Sequence, residues 1–232
     1  KLEKKQKLKA NGLGKIEDLF TEATQNQQAG RLNEAAQCFQ QILDIDPENV
    51  DALHFLGVIN FQIGLPEAAC RFILKAIAHR PTDAAIRNNL AIILNDSDRP
   101  AEAIEHFNKA LEIKPSFPEA LNNKGNALRK LGDLENARNC YERAVELAPQ
   151  YGEAYNNLGS ILLELDSLTL SETALQKSVE LAPSNPAAWS NLGTTLKALG
   201  KFNEALLAIE RSLKIDPNFS NKIGATPEKA EN

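Results

Sequence analysis

Apolar and polar positions along this chain follow a helical period nested inside a longer one. Pro47, Pro81, Pro115, Pro149, Pro183 and Pro217 recur every 34 residues without an insertion. A fixed period of that length is the signature of stacked helical repeats. With each proline at position 32, the chain divides into the units 16–49, 50–83, 84–117, 118–151, 152–185 and 186–219. Position 8 is then always Gly or Ala (Ala23, Gly57, Ala91, Gly125, Gly159, Gly193), and position 20 is as small (Ala35, Ala69, Ala103, Ala137, Ser171, Ala205). Position 24 is always large (Phe39, Ile73, Phe107, Tyr141, Leu175, Ile209) and position 28 always aliphatic (Leu43, Ile77, Leu111, Val145, Val179, Leu213). Residues four apart share a helix face, so the small positions admit a neighbouring helix and the large ones fill the space beside it.

The turns are equally regular. Position 15 holds Gly30, Gly64, Asp98, Gly132, Asp166 and Gly200, where the first helix of each pair should end in a left-handed residue. Two positions later, Pro66 and Pro100 suit a first helical turn that needs no N–H donor. The proline at position 32 ends the second helix and holds the residue before it extended. Twelve helices in antiparallel pairs are predicted. His79 stands where other units carry Ile or Leu, and a packed histidine is expected there.

Composition supports an all-α chain: aromatic residues make up 6% and hydrophobic residues 43% of the sequence, enough for a core without strand-forming enrichment. No apolar run is long enough to span a membrane. The net charge is −5, but residues 1–15 alone carry six Lys and one Glu. That places a Lys-rich leader, helical or flexible, ahead of an acidic repeat region, and a polar tail at 220–232 behind it. Nucleic acid is excluded as a partner, because no basic stripe runs along the folded part. Cys38, Cys70 and Cys140 are far apart and outside metal-ligand spacing, so no metal is expected. They read as buried or half-buried thiols in a reducing, cytoplasmic setting. The chain lacks an initiating Met and a secretory leader, and is expected to be a piece of something longer.

Trp189, Leu192, Gly193, Ala205 and Pro217 in the last unit carry the Trp, Leu-Gly, Ala and Pro spacing of the tetratricopeptide repeat. Residues 16–219 resemble that family throughout. The first unit departs from the pattern, with Glu22 where an apolar residue is usual, as suits an end repeat. The resemblance implies a right-handed superhelical solenoid of antiparallel helix pairs. It also implies that the first helix of each pair lines a concave face, with positions 2, 5, 6, 9, 12 and 13 turned into the groove.

Read as a surface, those positions carry an amide ladder: Asn89, Asn123, Asn157 and Asn191 at position 6, and Asn88, Asn122 and Asn156 at position 5, with Asn95 and Asn126 deeper. An Asn side chain offers an acceptor and two donors, so it suits a peptide backbone without reading its side chains. The ladder resembles that of the repeat region of O-GlcNAc transferases. Asn at position 6 equally suits a soluble helix surface, and Asn157 is expected to stand clear of the core. Arg129, Lys130 and Lys197 add positive charge towards the C-terminal half, facing Glu119, Glu153 and Glu164. The N-terminal half presents Phe20, His54, Phe55, Val58, Phe61 and Ile92. These make an apolar anchor for a partner, or a surface for the leader to cover. The carboxylate-clamp use of the fold does not match, since position 5 is never Lys.

No catalysis is expected. His54, His79 and His106 fall at different repeat positions, and no glycine loop cradles phosphate. No cofactor is implied. Three readings stand: a protein–protein interaction scaffold that binds an extended peptide or protein partner, the substrate-recruiting domain of a larger enzyme such as a glycosyltransferase, and a self-assembling scaffold. In the last, Leu206 and Leu213 on the final helix lack a polar cap and make a homo-oligomer contact.

Overall fold

In a computed structural model of the protein, the backbone is described for residues 2–219 and the side chains for residues 13–219. The tail 220–232 and the side chains of residues 1–12 lie outside the described residues. All regular structure among the described residues is helical. The first compact unit, Lys1–Pro115, contains α1 (Leu2–Gln28), α2 (Leu32–Ile45), α3 (Val50–Gln62), α4 (Pro66–His79), α5 (Ala84–Asp96) and α6 (Pro100–Ile113). The second, Ser116–Asn232, contains α7 (Pro118–Lys130), α8 (Leu134–Leu147), α9 (Gly152–Glu164), α10 (Leu168–Leu181), α11 (Pro186–Ala198) and α12 (Phe202–Ile215). Each odd-numbered helix packs most extensively on the even-numbered helix that follows it, and within a unit each pair stacks on the next. The fold is an all-α solenoid of paired antiparallel helices.

Short-range rules set the helix ends. Gly30, Gly64, Gly132 and Gly200 have φ between 73° and 83°, and Asp98 and Asp166 sit at 59° and 57°. These left-handed residues reverse the chain between the helices of a pair. The residue before each repeat proline is drawn out of the helical region, as at Asp46 (φ −134°, ψ 89°) and Lys114 (φ −130°, ψ 88°). Side-chain oxygens of Asn49, Asp83, Asp133 and Asn185 cap α3, α5, α8 and α11.

The core is the stripe of alternating small and large residues. Phe39, Ile73, Phe107, Tyr141 and Leu175 are fully buried, each beside a buried Ala or Ser at position 20. A Cβ added to Gly125 would lie 2.6 Å from Tyr141 Cε1, so the Tyr141 ring leaves room only for Gly at position 8 of this unit. Position 20 of α10 is a special case. Ser171 Oγ donates to the Gly159 carbonyl at 2.7 Å and lies 3.0 Å from Thr195 Oγ1, so a buried hydroxyl pair stitches α10 to α11.

His79 departs from expectation. Its side chain is exposed rather than packed, because position 30 falls in the last turn, past the end of the buried stripe. Ile45 and Ile113 at the same position are also partly exposed, at 39% and 38%.

Candidate functional site

In the first unit the six apolar groove residues divide into two clusters. Phe20 and Phe55 both meet the core ring of Phe39, edge-on at 5.5 Å and stacked at 5.4 Å, and His54 stacks on Phe55 at 5.4 Å. Phe39 was assigned only to the core stripe, yet it anchors this partly exposed aromatic group. Val58, Phe61 and Ile92 line a separate cavity of about 200 Å³ with Asn89 and Ile93. A hydrogen bond of 2.7 Å between Asn89 Nδ2 and His54 Nε2 joins the two clusters. Burial pushes the His54 pKa down against the opposing pull of Asp83 and Asp51, favouring the neutral ring, and the Asn89 Nδ2 donor is met by Nε2 in the tautomer that carries its proton on Nδ1.

Position-5 amides are interior groups. Asn88, Asn122 and Asn156 are all buried, and Asn122 has no exposed surface. Position-6 amides are half-buried and partly engaged with the repeat before them. Asn157 Nδ2 donates to Asn122 Oδ1 at 2.9 Å and to Asn126 Oδ1 at 3.4 Å, and Asn191 Nδ2 donates to Asn156 Oδ1 at 3.0 Å. The Asn89–His54 bond is the same rung with an imidazole in place of the acceptor amide. Asn157 therefore does not stand clear of the core. Its removal would leave the Asn122 carbonyl buried without a donor. Asn123 is half-buried, with no hydrogen bond to its amide among the described residues. The Asn88 Oδ1 is a buried acceptor without a partner among the described residues, and Asn95, also buried, donates Nδ2 to Asp96 Oδ1 at 3.2 Å.

The charges separate in the same way. Arg129 pairs with Glu164 across the step from α7 to α9, and Lys130 is also engaged. Lys197 is exposed. Glu153 accepts from Asn122 Nδ2 at 3.3 Å, as does the Tyr151 hydroxyl. Burial, reinforced by Glu153 and Glu119, pushes Tyr151 up to about 12, so it remains a neutral hydroxyl at physiological pH.

A further cavity, of about 520 Å³, lies on a different face of α9, between α8 and α10. It is lined by Tyr155, Leu158, Leu162 and Leu170 with Glu142 and Lys177 at its rim. The sequence signal for it is Leu170, an exposed Leu at position 19, where the other units carry Glu34, Ala68, Glu102, Asn136 and Glu204. Among the described residues, no group of His, Cys, Asp and Glu is arranged to hold a metal ion. Cys38, Cys70 and Cys140 are free thiols, each pushed above the ordinary cysteine range chiefly by burial. No helix among the described residues is long and apolar enough to cross a membrane.

Paired helices with small residues at their crossings and polar groups along one helix of each pair define a helical-repeat array, a class of fold that typically serves as a non-catalytic peptide- and protein-binding scaffold. Family profiles described as tetratricopeptide repeat or TPR repeat match residues 27–93, 84–117, 106–139, 125–166, 152–185 and 186–219, leaving no gap between 27 and 219. The chain belongs to the tetratricopeptide repeat family. It is 28% identical to Protein FlbA of Caulobacter vibrioides over 110 residues, covering 47% of this chain and 18% of that protein. It is also 30% identical to Protein O-mannosyl-transferase TMTC3 of Homo sapiens over 103 residues, or 44% of this chain and 11% of that protein. The chain thus spans less than a fifth of the length of either relative. Among solved structures, PilF of Pseudomonas aeruginosa superimposes with a TM-score of 0.79 at 16% identity, covering 93% of this chain and all of PilF. That likeness is one of fold.

Proposed function

We propose that this chain is a cytoplasmic scaffold of six 34-residue repeats, flanked by the leader 1–15 and the tail 220–232, that holds an extended peptide segment of a protein partner against its first helices. The observation that carries the reading is the run of half-buried amides at one repeat position in the second unit, Asn123, Asn157 and Asn191 on α7, α9 and α11, with Asn89 on α5 at the same repeat position in the first. A soluble surface needs polarity but not one functional group recurring at a fixed register. Amides hydrogen-bond a backbone whatever its side chains, as the ladder of O-GlcNAc transferases, which this one resembles, is understood to do. The cavity of Val58, Phe61 and Ile92 beside Asn89 adds a place for one apolar side chain.

A second reading, the recruiting domain of a larger enzyme, is favoured by one observation: TMTC3, to which 103 residues align, is an O-mannosyl-transferase. Both readings predict the same groove chemistry. The test is an array of short acetylated and amidated peptides probed with the full chain, followed by calorimetry on Asn123→Ala and Phe61→Ala. Asn123 has no side-chain hydrogen bond to lose among the described residues, so the fold of that variant should be intact. A weakening of roughly five-fold or more is expected from either variant. Unchanged affinity in both, with unchanged circular dichroism, would place the partner elsewhere, most simply at the Leu170 cavity.

A further inference from the structure

Three linked amides of the second unit, Asn122, Asn126 and Asn157, are not free to turn. An ionised carboxylate only accepts hydrogen bonds, so Glu153 Oε1, at 3.3 Å, fixes the Nδ2 end of Asn122 towards itself. The Asn122 Oδ1 must then face Asn157, which meets it with Nδ2 at 2.9 Å. The other Nδ2 hydrogen of Asn157 is directed at Asn126 Oδ1, which also accepts from the Tyr141 hydroxyl at 2.7 Å. Without Glu153 the whole chain of amides could reverse with its bonds intact, because hydroxyls serve as donor or acceptor and amides flip. The carboxylate removes that freedom. Two polar atoms are left unengaged among the described residues, on half-buried side chains of adjacent first helices: Asn157 Oδ1, an acceptor on α9, and Asn126 Nδ2, a donor on α7.

We propose that Glu153 is a positioning residue that gives the groove of the second unit a polarity, so that an extended peptide binds there in one direction only. This rests on the peptide-binding reading above. In an extended strand the N–H and C=O of one residue point to the same side, the N–H towards its N-terminal end. An acceptor on α9 beside a donor on α7 matches such a residue when its N–H meets Asn157 and its C=O meets Asn126. The bound segment therefore runs with its N-terminal part towards α9 and α11 and its C-terminal part towards α7. The reversed peptide would set its carbonyl against the Asn157 carbonyl and its N–H against the Asn126 amide. Those are two repulsive contacts, and they make the site selective for chain direction while it stays tolerant of sequence.

The test uses a peptide selected from the array, carrying a nitroxide at its N-terminus or at its C-terminus, and the backbone amide spectrum of the full chain. The N-terminal label should broaden α11 resonances around Ser190 and Thr194, and the C-terminal label those of α7. Glu153 is exposed, so Glu153→Gln should fold normally. That variant can donate to Asn122 and permits the reversed network. It should keep affinity within roughly three-fold while losing most of the directional bias. Equal broadening of both helices by either label, the opposite polarity, or a bias unchanged in Glu153→Gln would each overturn the inference and leave peptide binding standing. If no array peptide is weakened by Asn126→Ala or Asn157→Ala, the groove reading itself fails and takes the inference with it.

Discussion

At the scale of the residue, His54 shows how one substitution within a repeated pattern changes the physics. The next three repeats place an amide at position 5, which does not titrate. Here an imidazole accepts the rung bond from Asn89. Burial lowers its pKa, so the unfolded chain takes up a proton first as pH falls. The stabilisation is complete above the ordinary histidine pKa of about 6.5 and is lost as pH falls through that value towards the lower folded-state one. His106 adds to this, lowered by burial and by Lys109 and Arg87. His54→Asn restores the amide found at the same position in the next three repeats and removes the titration. Denaturant unfolding should then give a smaller stability difference between pH values on either side of that range. A variant as pH-sensitive as the parent would assign the whole effect to His106.

At the scale of the element, α12 is built like α10 but is covered differently. Leu175 and Val179 of α10 are buried in the cluster it shares with α11, whereas their counterparts Ile209 and Leu213 on α12 are 38% and 37% exposed. Leu206 and Leu207 beside them are more exposed still. Contiguous apolar surface of this kind favours association. Sedimentation velocity over a wide concentration range is expected to show weak self-association. Leu206→Glu combined with Leu213→Glu should abolish it without unfolding α12, because both side chains are substantially exposed. A chain that stays monomeric at high concentration, with or without these changes, would remove α12 as a self-association surface.

At the scale of the whole molecule, stability in a repeat array approximates a sum of repeat terms and nearest-neighbour terms. Gly125→Leu probes this, since even a Cβ there meets the buried Tyr141 ring. Overpacking costs roughly 1–3 kcal/mol. Hydrogen exchange should show protection lost in α7, α8 and α9 and kept in α1 and α2. Uniform loss over all helices would mean that the chain unfolds as one block.

The helix pairs, their turns and the core stripe were legible in the sequence because each depends on residues close together along the chain. A left-handed Gly or Asp ends one helix, a proline ends the next, and positions four apart share a face. The anchor role of Phe39, the exposed His79 and the burial of Asn122 were not legible in the same way. They depend on how far each stripe extends once neighbouring helices cover it. The amides show the division most clearly. Sequence alone determined that Asn recurs at positions 5 and 6, and therefore that polar groups line the first helices. Only tertiary structure decided which of their atoms are spent. Asn157 and Asn122 are 35 residues apart and meet because successive repeats stack; position 2 is acidic in four of the six units (Glu17, Asp51, Glu119 and Glu153), but only the stacking of α9 on α7 brings the Glu153 carboxylate to Asn122, where it sets the direction of that bond.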